Sequence, residues 1–412
     1  MRVHTMRRSS VWLVAIVLAV GCGRAFAESP GDGAGGVAAE VTSAYSDWAN
    51  GPSADPDFFP LAVWLQSPRN AERFRDAGIN LYVGLYRGPT EEQLVALKRA
   101  GMPVICGQNE LALTSENSDI IVGWMHGDEP DNAQARRSGD YGPPIEPAVI
   151  EADYHRIRER DPSRPVLLNL GQGVAYDNYI GRGVRRNRPD DYPFYIRGSD
   201  IVSFDIYPAV HTTPEVAGKL EFVPRGVERL RKWSDDKKVV WNCIEASRIS
   251  NVEVKPTPQQ IRSEVWMSLI RGSRGIIYFV HQFEPTFKEA SLLDDPELLP
   301  AVRELNREIT RLAPVLNSPT IDDAVVIESA EPESPVAVMA KRHAGDLYLF
   351  VANIAAEPSL AKLRFQAPLA ETARIDRIDG EDSVSAIDGK LPIDLAGYGI
   401  ALYRVVGERG TR

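Results

Sequence analysis

Three cysteines and six histidines are all that 412 residues contain of the two best metal-ligating side chains. The histidines are scattered, and none stands at a metal-ligand spacing from another, so no metal centre is expected. A glycine-rich turn that could cradle a phosphate is missing too, which argues against a dinucleotide-binding sheet. Positive charge is short: 47 lysines and arginines face 57 acids, for a net charge of −10. Such a chain has no electrostatic footprint for nucleic acid or for an anionic membrane surface. Long apolar runs are absent as well. The stretch from Val11 to Val20 is too short to cross a bilayer as a helix.

That short run has its own meaning. It follows a basic start, MRVHTMRRSS, and precedes AFA and Glu28. A basic beginning, an apolar stretch and an A-x-A site describe a secretory signal peptide over residues 1–27. The tetrapeptide Ala19-Val20-Gly21-Cys22 also resembles a lipobox, so a lipid anchor on Cys22 is the alternative processing. By either route the protein is expected to be exported, whether periplasmic, secreted or held at the outer membrane. Cleavage after Ala27 would remove four arginines and no acid, deepening the net charge from −10 to −14. Cys106 and Cys243 would then remain, each inside an apolar run, and are expected as buried free thiols. Residues 28–56, rich in Gly, Ala and Ser, are expected as a flexible leader.

From residue 57 two kinds of segment alternate. Eight runs, FPLAVWLQ, INLYVGLY, MPVICGQ, IIVGWMHG, VLLNLGQ, DIVSFDIYP, KVVWNCIEAS and GIIYFVHQF, are near-continuously apolar, as parallel strands covered on both faces must be. Between them lie amphipathic stretches such as TEEQLVALKRAG and TPQQIRSEVWMSLIRGS, closed by glycine. Strand and helix repeated eight times predict a (β/α)8 TIM barrel over residues 57–318. After Asn317-Ser318-Pro319 short β-rich runs separated by turns predict a small antiparallel β-sandwich over residues 319–412.

In such a barrel, chemistry gathers at the carboxyl ends of the strands. The fourth run ends in His126-Gly127-Asp128-Glu129-Pro130, and the seventh ends in Glu245. Run one delivers Trp64, run five Asn169, run six Asp205 and Tyr207, and run eight His281 and Gln282. A glutamate that interrupts a buried strand is costly unless it is paired or useful. Two facing one cup suit glycoside hydrolysis, where one carboxyl protonates the leaving oxygen and another attacks from the opposite face. Taken singly, Glu129 also reads as a helix amino-terminal residue, and Glu245 as the partner of a cation such as Arg248. Glu284 and Asp205 stand as substitutes for Glu245.

These residues carry a resemblance. The barrel is similar to the clan A glycoside hydrolases, retaining (β/α)8 enzymes with an acid/base glutamate after strand four and a nucleophile glutamate after strand seven. Glu129 in GDEP matches the first position, Glu245 in WNCIEAS the second, and Tyr207 in FDIYP resembles a tyrosine that orients the nucleophile. Asp128 departs from the pattern, since that clan usually has an asparagine there, touching the sugar 2-hydroxyl. The resemblance implies an exported retaining enzyme that cleaves β-glycosidic bonds in oligo- or polysaccharides without a cofactor. A catalytically silent glycan-binding protein on the same scaffold is the alternative. Substrate contacts are expected from Asp128, Trp64, Asn169, Asp205, His281 and Gln282. The long segment after run five adds Tyr176, Tyr179, Tyr192 and Tyr195, either a stacking platform for sugar rings or loop packing. Its arginines, Arg182, Arg185, Arg186 and Arg188, are expected to pair with Asp190 and Asp191.

Overall fold

The computed structural model describes residues 43–329, 335–370, 372–380 and 383–407. The expected signal peptide, the Cys22 anchor and most of the leader lie outside them. Parallel strands β1 (Leu61–Trp64), β2 (Leu81–Val83), β3 (Val104–Cys106), β4 (Ile121–Met125), β5 (Val166–Leu170) and β6 (Ile201–Phe204) follow one another in the sheet. The seventh strand, β7, comes in two pieces, Val239–Val240 and Asn242–Glu245. The first piece pairs with β6, the second with β8 (Ile276–Phe279), and β8 pairs with β1. Trp241 stands at the break, its N–H bonded to Val202 O at 2.9 Å, while that of Asn242 goes to Gly275 O at 3.2 Å. That switch of partner closes the sheet, and the result is the expected eight-stranded barrel.

Helices α1 (Ala71–Asp76), α2 (Glu91–Ala100), α3 (Glu110–Thr114), α4 (Pro147–Arg160), α5 (Tyr192–Tyr195), α6 (Phe222–Trp233), α7 (Pro258–Ile270) and α8 (Leu298–Asn317) fall between and after the strands. Local chemistry sets their ends. Thr90 with Gln93, and Thr257 with Gln260, form reciprocal capping boxes, and Gly101 ends α2 at φ +63°. Alternation then sorts the strands' side chains. Ala62, Leu81, Ile105, Leu167, Ile201, Trp241 and Ile277 fill the barrel, while Val63, Tyr82, Val104, Leu168, Val202 and Tyr278 pack outward under the helices. Cys106 and Cys243 are both buried and unbridged.

Residues 43–56 differ from the expected flexible leader. Tyr45 is buried, its hydroxyl donates to Arg274 O at 2.7 Å, and it accepts from Trp241 Nε1 at 2.9 Å. Tyr45 thus plugs the amino-terminal mouth of the barrel, and Asn50 adds bonds to Ser163 O at 3.0 Å and Ser163 Oγ at 2.9 Å.

The carboxy-terminal strands form two antiparallel sheets. β9 (Val325–Ser329), β12 (Ser359–Phe365) and β15 (Lys390–Leu395) make one. β10 (Val336–His343), β11 (Asp346–Asn353), β16 (Ile400–Val406), β13 (Arg374–Arg377) and β14 (Ser383–Val384) make the other, in that order. Leu349, Leu363, Ile393 and Val405 pack between the sheets. The opposite face of the larger sheet, with Met339, Phe350 and Leu402, joins the barrel's own core. Phe350 stacks on Trp266 of α7, ring centroids 5.4 Å apart.

Candidate active site

Glu129 stands four residues beyond β4 with φ +44°, a left-handed conformation that few non-glycine residues adopt. Its N–H reaches Asn169 O on β5 at 3.2 Å. Asp131, fully buried, holds the turn from below: its carboxylate accepts from Gly171 N at 2.9 Å and from the Tyr192 hydroxyl at 3.0 Å. Arg182, only 1% exposed, bonds Asp131 O at 3.1 Å and pairs with Asp191 at 3.0 Å. The loop arginine therefore braces the turn carrying Glu129, and Arg185 joins it on Asp191.

The Glu129 carboxyl meets Asp205, not Glu245. The two carboxyls share a hydrogen bond at the ends of β4 and β6, and each perturbs the other. Burial first, then the Asp205 charge, push Glu129 far above the carboxylate range, with Asp128 and Asp131 adding to it. Asp205 is raised less, to about 7: burial lifts it, while hydrogen bonds from Glu129 and Tyr207 hold it down. The shared proton thus belongs to Glu129, and Asp205 is the anion. Tyr207, expected to orient Glu245, stands beside Asp205 instead and helps to hold its carboxyl down.

Asn169 links the surroundings. It donates to Asp128 at 2.9 Å and accepts from Ser203 at 2.7 Å. Asp128 is exposed on the rim. Tyr179 lies close enough for Glu129 and Asp205 to raise its hydroxyl above the usual tyrosine range, after burial itself. Gly171 leaves room for this carboxyl, since a Cβ on it would come within 2.8 Å of Glu129 Oε1.

Glu245 lies elsewhere. It is wholly inaccessible to solvent, and it accepts from Ala209 N at 2.7 Å. Its other neighbour is Glu264 of α7, also wholly buried, whose proton the two carboxyls share. Burial and then the Glu245 charge raise Glu264 well above the carboxylate range. Glu245 therefore clamps the 208–210 turn behind Tyr207 to α7, and no sugar carbon can approach it. Nothing in the strand run reveals this, because Glu264 sits on the polar-looking stretch of a helix read as amphipathic.

The remaining expected residues divide. Trp64 is barrel filling, and Gln66 beside it contacts His281 Nε2 at 3.2 Å. Gln282 is nearly buried and ties its own loop, donating to Thr286 O at 3.0 Å. Tyr176 packs edge-on against Phe222, and Tyr192 and Tyr195 are buried, so those three pack the loop. An aromatic series does lead out of the cup. Tyr207 packs on Phe279 at 5.2 Å, Phe279 on His281 at 5.2 Å, His281 on Phe283 at 6.0 Å, and Phe283 on Phe287 at 5.9 Å. Phe283 and Phe287 expose 46% and 60% of their surface. Of this run the sequence singled out only His281 and Gln282 as substrate contacts, although the pattern HQFEPTF carries both phenylalanines.

No family model and no curated protein matches the sequence. Among solved structures, alpha-galactosidase I from Mortierella vinacea is similar over 87% of this chain and 99% of its own, at 8% identity and a TM-score of 0.51. An alpha-amylase from Anoxybacillus, at 8% identity, covers 86% of this chain and 99% of its own with a TM-score of 0.49. A GH30 endoxylanase from Clostridium papyrosolvens covers 84% and 95%, at 11% identity and a TM-score of 0.46. The likeness to the alpha-galactosidase is one of fold: the chain is a TIM barrel followed by antiparallel β-sheets.

Proposed function

We propose that the protein is an exported retaining glycoside hydrolase whose proton donor is Glu129 and whose nucleophile is Asp205. The observation that carries this is the meeting of the two carboxyls beyond the ends of β4 and β6. One carboxyl is kept protonated by burial and by its neighbour's charge, while the other, raised less by its own burial, is held lower by Glu129 and Tyr207. The aromatic series from Tyr207 to the exposed Phe287 supports a carbohydrate ligand, since aromatic faces stack on the apolar faces of sugar rings.

In the first step an Asp205 oxygen attacks the anomeric carbon, the glycosidic bond breaks, and its oxygen takes the Glu129 proton. In the second, Glu129 removes a proton from water, whose oxygen displaces Asp205 and frees the sugar. Retaining pairs stand about 5–5.5 Å apart when the sugar lies between them. The Glu129–Asp205 contact must therefore open as substrate enters, in the neighbourhood of Tyr179.

The GDEP resemblance favours β-linked oligo- or polysaccharides, so the test sets aryl β-glycosides beside their α-anomers. Turnover by wild type, lowered about 10²–10⁴-fold in Glu129→Gln and in Asp205→Asn with melting temperature kept, is the expected result. Survival of full activity in Asp205→Asn would sink the assignment of the nucleophile. Glycan binding with no turnover by wild type would establish the silent binder instead.

A further inference from the structure

At the amino-terminal end of the barrel, opposite the cup, a cavity of about 470 Å³ opens between the strand starts and the β-domain. Five cationic side chains line it: Arg231, Lys238, Arg271, Arg274 and Lys341. In a chain of net charge −10 this concentration is unusual. Three acids share the lining, and all three are exposed. Asp236 holds Arg231 at 2.7 Å, and Glu228 stands 3.8 Å from Arg271, whose buried Nε has no hydrogen-bond partner. Asp322 is the third.

The deeper cations are not neutralised in this way. Lys341, 1% exposed, donates to Ser318 O at 2.7 Å, and Arg274 to Leu316 O at 3.0 Å. Among the described residues no carboxylate comes within ion-pair distance of either. Burial, then Arg274 and Arg231, bring Lys341 down to about 7, while burial and Arg231 also lower Arg274. Three cations thus face one another in a partly closed space. Gly272, at φ +102°, lets Arg231 lie across its turn, since a Cβ there would come within 2.8 Å of the Arg231 side chain.

We propose that this cavity binds an oxyanion of the sulfate or phosphate type, as the free ion or as the ester group of a small molecule. Guanidinium forks match the oxygens of such groups, and like charges gathered out of water are costly until an anion joins them. The volume falls within the range of about 300–1,000 Å³ usual for small-ligand sites, larger than a bare ion needs. Lys341 must be charged to take part, so binding draws in a proton. The other charged groups facing it are Arg231 and Arg274, with Glu228, Asp236, Lys238, Arg271 and Asp322 around the cavity.

Calorimetric titration of the purified protein with sodium sulfate, chloride making up a constant ionic strength, tests this. Sulfate keeps its charge at both about pH 6 and about pH 8.5, so a change in affinity reports the protein. The expected result is one site that weakens about tenfold or more at the higher pH, as Lys341 loses its proton. Lys341→Met should weaken binding at about pH 6 by a similar factor and abolish the pH dependence, and Arg274→Gln should weaken it at both. Tighter binding of glucose 6-sulfate than of sulfate would identify an ester as the ligand, and the reverse a free ion. Sulfate heats no larger than those of chloride, or binding unchanged in Lys341→Met, would overturn the proposal. Lys341→Met replaces a cation already half-neutralised by its surroundings, so it tests the site even if Arg274→Gln fails to fold.

Discussion

Asp128 shows how much one charge governs here. Its carboxylate raises both Glu129 and Asp205, although burial outweighs it for each. In the proposed reaction Asp205 must be ionised to attack, so the acidic limb of the kcat/KM profile should lie near neutral pH rather than in the ordinary carboxylate range. Asp128→Asn removes a negative neighbour, lowers Asp205, and should move that limb to lower pH while Asn169 keeps a side-chain partner. A limb that does not move, measured over about pH 4–9, would show that the limb reports another group. Gly171 sets position where Asp128 sets charge. A methyl group there would come 2.6 Å from Asn132 Nδ2 and 2.8 Å from Glu129 Oε1, so these side-chain ends must shift, the Glu129 carboxyl among them. Misplacement by about 1 Å can cost roughly 10²-fold in rate. Gly171→Ala should lower kcat by that order while KM changes less, and kinetics of the purified variant check it.

At the level of elements, the Glu245–Glu264 pair joins β7, α7 and the 208–210 turn through one proton. Both carboxyls are raised in the folded protein, Glu245 to about 7, so the fold binds more protons than the unfolded chain above the ordinary carboxylate pKa. Stability from this pair is complete below about pH 4.5 and is lost as pH rises through about 7. Glu264→Gln keeps a donor towards Glu245 and removes one of the two titrations, so the fall in melting temperature between about pH 5 and pH 8 should become shallower while the share from Glu245 remains. Equal slopes for both proteins would show the pair titrates like free carboxyls. Glu245→Gln should keep activity within about tenfold, whereas a nucleophile would lose far more. The eight strands were legible because apolar runs of β-branched residues are local. Glu129 was legible because its strand ends abruptly in acids. Glu245 was misread for a tertiary reason: strand position cannot tell whether a carboxyl faces the cup or meets a second acid, here Glu264, on the following helix. Asp205 was visible only as a substrate contact and a substitute, since its pairing with Glu129 depends on how β4 and β6 end in space.

For the molecule as a whole, the larger β-sheet belongs to two cores at once. Every residue of β11 is buried, Leu349 and Val351 against the smaller sheet, Phe350 and Ala352 against the barrel. Polar ties add to this contact: Ser263 of α7 donates to Tyr398 O at 2.7 Å, and the Tyr398 hydroxyl donates to Glu221 beside α6. An interface made like a domain interior leaves neither part with a complete core of its own. The barrel and β-domain should therefore unfold in one calorimetric transition rather than two. Phe350→Ala removes the ring stacked on Trp266 and should cost about 3–5 kcal/mol. Because α7 also carries Glu264, the loss should reach the turn behind Tyr207, lowering activity at temperatures where wild type is still fully folded. Two separate transitions in wild type, or a Phe350→Ala protein whose barrel melts unchanged, would mean that the β-domain rides on the barrel without supporting it.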